Sequence, residues 1–206
     1  MSVGDGIFVS FEGGDGAGKS TQVRALADWL AAQGRTVLLT FEPGDSALGK
    51  VLRDAVLHGE DVDPRTEALL YATDRAHHVA SVVRPALARG EVVITDRYLD
   101  SSVAYQGVGR GLGADTIEQL SLWATGGLLP DLTVLLDLDP EAALARITRE
   151  PDRLERGGDE FHAITRQAFL DRAAGDPQRF LVLDARLPAE DLAAAVATRV
   201  GQLLER

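Results

Sequence analysis

The sequence predicts an α/β fold, a buried parallel sheet with helices on both faces, and three observations carry that expectation. Five short segments rich in β-branched and apolar residues recur along the chain, at 6–11, 36–40, 91–95, 132–138 and 180–183. Several are continuous apolar runs rather than alternations, as expected of strands covered on both sides. Helical patterns separate them at lengths suited to right-handed crossovers. At 206 residues the chain suffices for one well-buried domain and is short for two, so residues 1–206 are read as one unit.

Each element has a local reason. After the strand at 6–11, residues 19–33 place Val23, Leu26, Ala27 and Leu30 at helical spacing, and Gly34 is a stop. The strand at 36–40 follows. Residues 64–89 read as a long helical region that Pro85 kinks or divides. Beyond the strands at 91–95 and 132–138, residues 140–149 begin a helix with a proline at a first-turn position. Residues 150–159, EPDRLERGGD, are the least regular stretch, either a solvated connection or a lid. The strand at 180–183 precedes an alanine- and leucine-rich helix over 188–205. No internal repeat is present.

Composition narrows the function. The chain has no cysteine, which removes disulfides, thiolate metal sites and cysteine nucleophiles and fits a reducing compartment. No secretory signal opens it and no apolar run could span a bilayer, so the expected location is the cytoplasm. A net charge of −11 repels nucleic-acid backbones, so any bound phosphate is held by a local basic pocket against the overall field.

Residues 11–21 read FEGGDGAGKST. Gly13, four residues, then Gly18-Lys19-Ser20 matches the phosphate-binding P-loop, placed as that motif requires between a buried strand and an amphipathic helix. Glycines let the backbone curl so that successive N–H groups face an anion, and the helix N-terminus adds positive potential. Gly13, Gly14, Asp15, Gly16, Ala17, Gly18, Lys19, Ser20 and Thr21 are therefore the expected nucleoside-triphosphate loop. Lys19 is expected at the β- and γ-phosphates, and Ser20 at Mg²⁺.

A second motif, VVITDRY at 92–98, puts Asp96 and Arg97 at the carboxyl end of a strand, the edge where open parallel sheets bind ligands. Asp96 could support the Mg²⁺ shell and Arg97 could clamp an acceptor phosphate; a surface ion pair is the plainer alternative. A third is the arginine group Arg146, Arg149, Arg153 and Arg156 around residues 146–160. Phosphoryl transfer needs cations at the transferring oxygens. With Ala17 at the loop's variable position, a closing lid would have to bring them. The alternative is an exposed helix face balanced by Glu150, Asp152 and Glu155.

Taken with FEPGDSALGKVLR, LLYATDRAHH, RPALARGEVVITDRYLDSSVAYQGVGRGL, LLDLDP and DRLERGGDEFH, these motifs resemble bacterial thymidylate kinases over essentially the whole length. DRYLDSSVAYQG is the most specific block. The resemblance implies a P-loop NTPase fold with a five-stranded parallel sheet of order 2-3-1-4-5 and a short lid. It implies ATP with Mg²⁺ as donor, dTMP as acceptor in DNA-precursor synthesis, and a homodimer packed through helices. By position it puts Asp15 near the acceptor phosphate and sugar, Arg97 on the acceptor phosphate, Tyr71 against the base and Arg75 on a base carbonyl. Ser102 falls at the base N3 edge, Tyr105 at the 2′ position with Gln106 beside it, and Glu42 behind Arg97 or the metal. Lys19, Arg97, Asp15, Arg153 and Arg156 form the implied catalytic set, with Arg146 on the nucleotide side.

Three positions depart from the commonest family pattern: Phe41 stands where an arginine often precedes Glu-Pro-Gly, Asp45 where a glycine is usual, and Phe169 where tyrosine is common. Two other readings stay open. A deoxynucleoside kinase would use Glu42 as a base toward a sugar hydroxyl. A regulatory ATPase would need no acceptor, whereas a GTP switch is excluded because no lysine follows Lys50 to complete its guanine motif.

Overall fold

The sheet is built around β1 (Ile7–Glu12), whose alternate side chains find apolar partners on opposite faces. Phe8 joins Val93, Tyr98, Leu99 and Val103 in one buried cluster; Val9 and Phe11 join Val23, Leu26 and Leu30 in another. In the computed structural model, which describes residues 6–146 and 158–205, the strands are β1, β2 (Val37–Phe41), β3 (Val92–Asp96), β4 (Leu132–Asp137) and β5 (Phe180–Asp184). They form one parallel sheet of order β2-β3-β1-β4-β5, the expected arrangement. The middle strands are buried along nearly their whole length, while the edges β2 and β5 are half-exposed, because only the middle of a two-sided sheet loses water on every side.

Four strands run one residue past the predicted end. Glu12, Asp96 and Asp184 end the apolar pattern, yet their backbones still sit in the ladder, as does that of Phe41, with Phe41 opposite Asp96 and Asp137 opposite Asp184. Leu138, expected in β4, falls beyond it. The carboxyl edge is thus lined by acidic groups held in register by backbone hydrogen bonds.

The helices are α1 (Lys19–Ala32), α2 (Ala47–His58), α3 (Pro64–His78), α4 (Arg84–Ala88), α5 (Leu99–Ser102), α6 (Ala114–Thr125), α7 (Pro140–Leu144), α8 (Gly158–Gly175) and α9 (Ala189–Leu204). The segment expected as one helix over 64–89 passes through a π-helical stretch, Val79–Val83, between α3 and α4. Pro85 has no N–H to donate and crowds the preceding turn; the chain widens ahead of it instead of ending. A second π-helical stretch, Val103–Gly109, continues α5 and carries Tyr105 and Gln106. The helices α2, α5, α6 and α8 are additions to the sequence reading. Of the lid expected at 146–160, residues 147–157, with Arg149, Arg153 and Arg156, lie outside the described residues.

Candidate active site

The loop after β1 folds back over the start of α1. Gly13 at φ 126° and Gly16 at φ 79° are positions where a Cβ would lie 2.4 Å from the carbonyl oxygens of Leu136 and Ala143, so only glycine lets the loop sit this close to β4 and α7. The Lys19 ammonium is buried and donates to the carbonyls of Gly13 (3.0 Å) and Gly14 (2.9 Å), with Asp15 3.9 Å away. Burial, and Arg97 after it, hold its pKa below the usual lysine value. Gly18, at φ 94°, caps α1.

Two hollows meet here. A groove is lined by Asp15, Gly16, Gly18, Lys19, Ser20 and Thr21 from the loop, by Asp96 and Arg97 from the end of β3, and by Arg146. Arg146 reaches across to the carbonyls of Gly16 (3.5 Å) and Ala185 (3.2 Å). Gly13 and Gly14 instead face a cavity behind the loop, and Ala17 is turned into the apolar cluster beneath the sheet. Ser20 Oγ donates to Asp96 Oδ2 at 3.2 Å. Among the described residues no group of three or more acidic or imidazole side chains could cage a metal by itself. A hydroxyl beside one carboxylate fits Mg²⁺ arriving with phosphate oxygens, since that ion keeps few protein ligands.

The second hollow gathers Asp15, Glu42, Tyr71, Arg75, Arg97, Ser102, Tyr105 and Gln106 on one lining. These residues come from the loop, β2's end, α3, β3's end and the helical segment after it, and only the tertiary fold joins them. Arg75 is fully buried and donates to Glu42 (2.7 Å), Ser121 (3.2 Å), the Tyr98 carbonyl (3.2 Å) and Ser102 (3.1 Å). Glu42 receives Arg75 on one oxygen and lies 2.9 Å from His78 Nδ1 on the other. Tyr71 packs on Val56 and Leu57 and also lines the cavity, so its core and site readings are compatible. Gln106 donates to Glu67 at 2.9 Å.

Arg97 links the hollows. Its guanidinium donates to Asp15 (2.7 Å), Ser101 (3.0 Å) and the Gly13 carbonyl (3.2 Å), and it lies 5.3 Å from the Tyr105 ring centre. Burial opposes its charge, but Asp15, Tyr105, Asp96 and Glu12 prevail and its pKa is raised. Burial pushes the Tyr105 hydroxyl up to about 12, so it is a neutral ring edge at any working pH.

The sequence that builds this site has relatives. The family model for thymidylate kinase matches residues 11–196. The chain belongs to the thymidylate kinase family. The thymidylate kinase of Bifidobacterium longum strain NCC 2705 is 56% identical over 204 residues, covering 97% of this chain and 99% of that protein. That of Leifsonia xyli subsp. xyli is 60% identical over 200 residues, with 95% and 94% covered. That of Deinococcus radiodurans is 50% identical over 200 residues, with 96% and 97% covered.

Set against the family pattern, the departures find local explanations. The ring of Phe41 lies 5.5 Å beneath the guanidinium of Arg53, which donates to the Pro43 carbonyl at 2.6 Å and lines both hollows beside Arg97. Arg53 was not singled out from sequence, although it ends the block FEPGDSALGKVLR, because only the helix α2 aims it at the site. Asp45 accepts from Thr40 Oγ1 at 2.6 Å. Phe169 packs in an apolar cluster with Tyr105, Leu135 and Phe180, where a tyrosine hydroxyl would need a partner.

Proposed function

We propose that the chain transfers the γ-phosphoryl group of ATP to dTMP, giving dTDP and ADP. The observation that carries the reading is that Asp15, Arg53 and Arg97 line both hollows at once. A triphosphate over Lys19 and a monophosphate at Arg97 would then meet at one wall, the close approach phosphoryl transfer needs. Family membership supports the pair of substrates.

In this reading Lys19 leaves the loop carbonyls for the β- and γ-oxygens, and the loop N–H groups hold the rest of the triphosphate. Ser20 and Asp96 would hold Mg²⁺, which would supply positive charge against the phosphates. Arg97 and Arg53 bind the acceptor phosphate, and Asp15 gives up part of its pairing with Arg97 to do so. Tyr71 stacks on thymine, Arg75 and Ser102 address the base edge, and Tyr105 with Gln106 fills the space beside the sugar. Arg153 and Arg156, expected to bring further cations, lie outside the described residues, and Arg146 is the described arginine of that group on the groove. Because the acceptor is already an anion, cations rather than a base do the work. This separates the reading from a deoxynucleoside kinase: Glu42 is buried and both its oxygens are engaged, by Arg75 and His78.

ADP formation from ATP, measured with dTMP, thymidine, dUMP and dCMP, tests the assignment. dTMP is expected to give the fastest turnover. Stimulation by thymidine and not dTMP would overturn it in favour of a nucleoside kinase, and stimulation by no acceptor would favour an ATPase. Arg53→Ala is expected to raise KM for dTMP about tenfold, the worth of one charge-assisted hydrogen bond, with KM for ATP little changed. Steady-state kinetics with each substrate varied in turn checks this.

No helix among the described residues is long and apolar enough to cross a membrane. The reading includes a cytoplasmic enzyme with free nucleotides as partners and a homodimer. Trp123 on α6 is 83% exposed and Leu69 on the adjoining α3 is 55% exposed, a pair of apolar side chains suited to cover by a second copy. Trp123→Glu is therefore expected to halve the mass measured by light scattering; an unchanged mass would move the interface elsewhere.

A further inference from the structure

Arg97 is the one described residue other than glycine with a positive φ, 71°. Such a conformation costs about 1 kcal/mol or more and persists only where its surroundings over-determine it. Here every adjoining backbone group is held. The Arg97 N–H donates to the Phe11 carbonyl at 2.9 Å, and its carbonyl accepts from Thr95 Oγ1 at 2.9 Å. The next N–H, that of Tyr98, donates at 2.8 Å to Oε1 of Glu12, the last residue of β1, whose side chain is fully buried.

Glu12 holds more than that peptide. Its Oε1 also lies 3.3 Å from the N–H of Ser101, in the first turn of α5, where Tyr98 supplies no side-chain cap. Its Oε2 lies 2.5 Å from Ser101 Oγ. A guanidinium can only donate, so with Arg97 on Ser101 Oγ the single hydroxyl proton of Ser101 goes to Glu12 Oε2. The lone pairs left on Ser101 Oγ then face Arg97, whose Nη1 donates to it at 3.0 Å. One carboxylate therefore fixes Arg97 twice, through the peptide that follows it and through the hydroxyl that receives its guanidinium.

We infer that Glu12 is a positioning residue for Arg97, setting the direction of that guanidinium toward the acceptor phosphate. The inference rests on the acceptor role given to Arg97 above. It accounts for a carboxylate that the proposed chemistry leaves unused. Burial first and the neighbouring Asp100 second raise the Glu12 pKa, while Ser101, Arg97 and the Tyr98 N–H offset only part of this. Asp100 is equally buried, yet Arg179 and Arg172 pair with it directly and its pKa is lowered. Among the described residues Glu12 has no such ion pair, and a buried carboxylate whose ionised form is disfavoured is the kind of group that clusters at functional sites.

Glu12→Gln keeps the shape but cannot satisfy all the donors. With its oxygen toward the backbone, its amide N–H displaces the Ser101 proton; with the amide reversed, two N–H groups face a third donor. Kinetics of Glu12→Gln, Ser101→Ala and Arg97→Ala, with dTMP and ATP varied separately, test the inference. Glu12→Gln is expected to lower kcat/KM for dTMP about 100-fold, the scale of a misplaced phosphate ligand, with KM for ATP within twofold. Ser101→Ala is expected to shift dTMP in the same direction by a smaller factor. If Glu12→Gln yields no folded protein, Ser101→Ala decides alone. Unchanged dTMP kinetics in the folded variants beside a defective Arg97→Ala would overturn the positioning role, as would an equal shift in KM for ATP. An unchanged KM for dTMP in Arg97→Ala would instead overturn the acceptor role of Arg97, and the inference with it.

Discussion

Lys19→Ala is expected to lower kcat for dTDP formation by about three orders of magnitude, the range seen when one cation at the transferring phosphate is removed. Quenched-flow or coupled ADP assays measure it, and a loss below tenfold would contradict the role. The same variant separates function from stability. The folded protein depresses the Lys19 pKa, through burial and then through Arg97. A base with a depressed folded pKa binds its proton less well when folded, so its charged form costs stability at neutral pH. That cost lessens as pH rises toward the unfolded value. Lys19→Ala removes the cost together with the hydrogen bonds to Gly13 and Gly14. The Tm of the ligand-free protein is therefore expected to change little, while the rise in Tm caused by ATP disappears. Thermal unfolding with and without ATP checks both halves.

Arg97→Ala is expected to lower kcat/KM for dTMP by about 100- to 1,000-fold, through a higher KM and a lower kcat together, with KM for ATP within a few-fold. Alanine at φ 71° is as disfavoured as arginine, so the backbone strain is the same in both proteins and the lost guanidinium dominates the difference. Asp15 loses its 2.7 Å partner, and repulsion between its carboxylate and an incoming phosphate adds to the loss in kcat/KM. Arg97→Lys is expected to recover little, because a lysine carries one point charge where the guanidinium spreads its donors over Asp15, Ser101 and the Gly13 carbonyl. A KM for dTMP equal to that of the unsubstituted enzyme would refute the assignment.

Some of this was legible from the chain alone, for physical reasons. The P-loop reads directly because its spacing, its glycines and its lysine are consecutive, and its flanks are a strand and a helix. The parallel sheet reads because strands buried on both faces lose the alternation that a half-exposed strand would keep. The elements that escaped are those in which apolar spacing gives a poor account of packing. α2 and α6 each expose large apolar side chains, Val51 and Trp123 among them, and α8 packs against both the sheet and the π-helical segment. DRYLDSSVAYQG signals its family but not its shape; the change from α- to π-helical turns at Val103 has no mark in the apolar spacing.

By itself the sequence determined an expectation: residues 13–21 hold a nucleoside triphosphate and, through resemblance, the acceptor is thymidylate. It determined this because a loop of consecutive N–H groups is a local object, specified by neighbours in the chain. Only the tertiary structure decided that Asp15 pairs with Arg97, that Arg53 stands above Phe41, and that Glu12 and Ser101 hold Arg97 at a positive φ. Glu12 and Arg97 are separated along the chain by α1, β2, α2, α3, α4 and β3, and meet because β1 and β3 are neighbours in the sheet. Their chemistry depends on burial and strand register, which residue spacing does not encode.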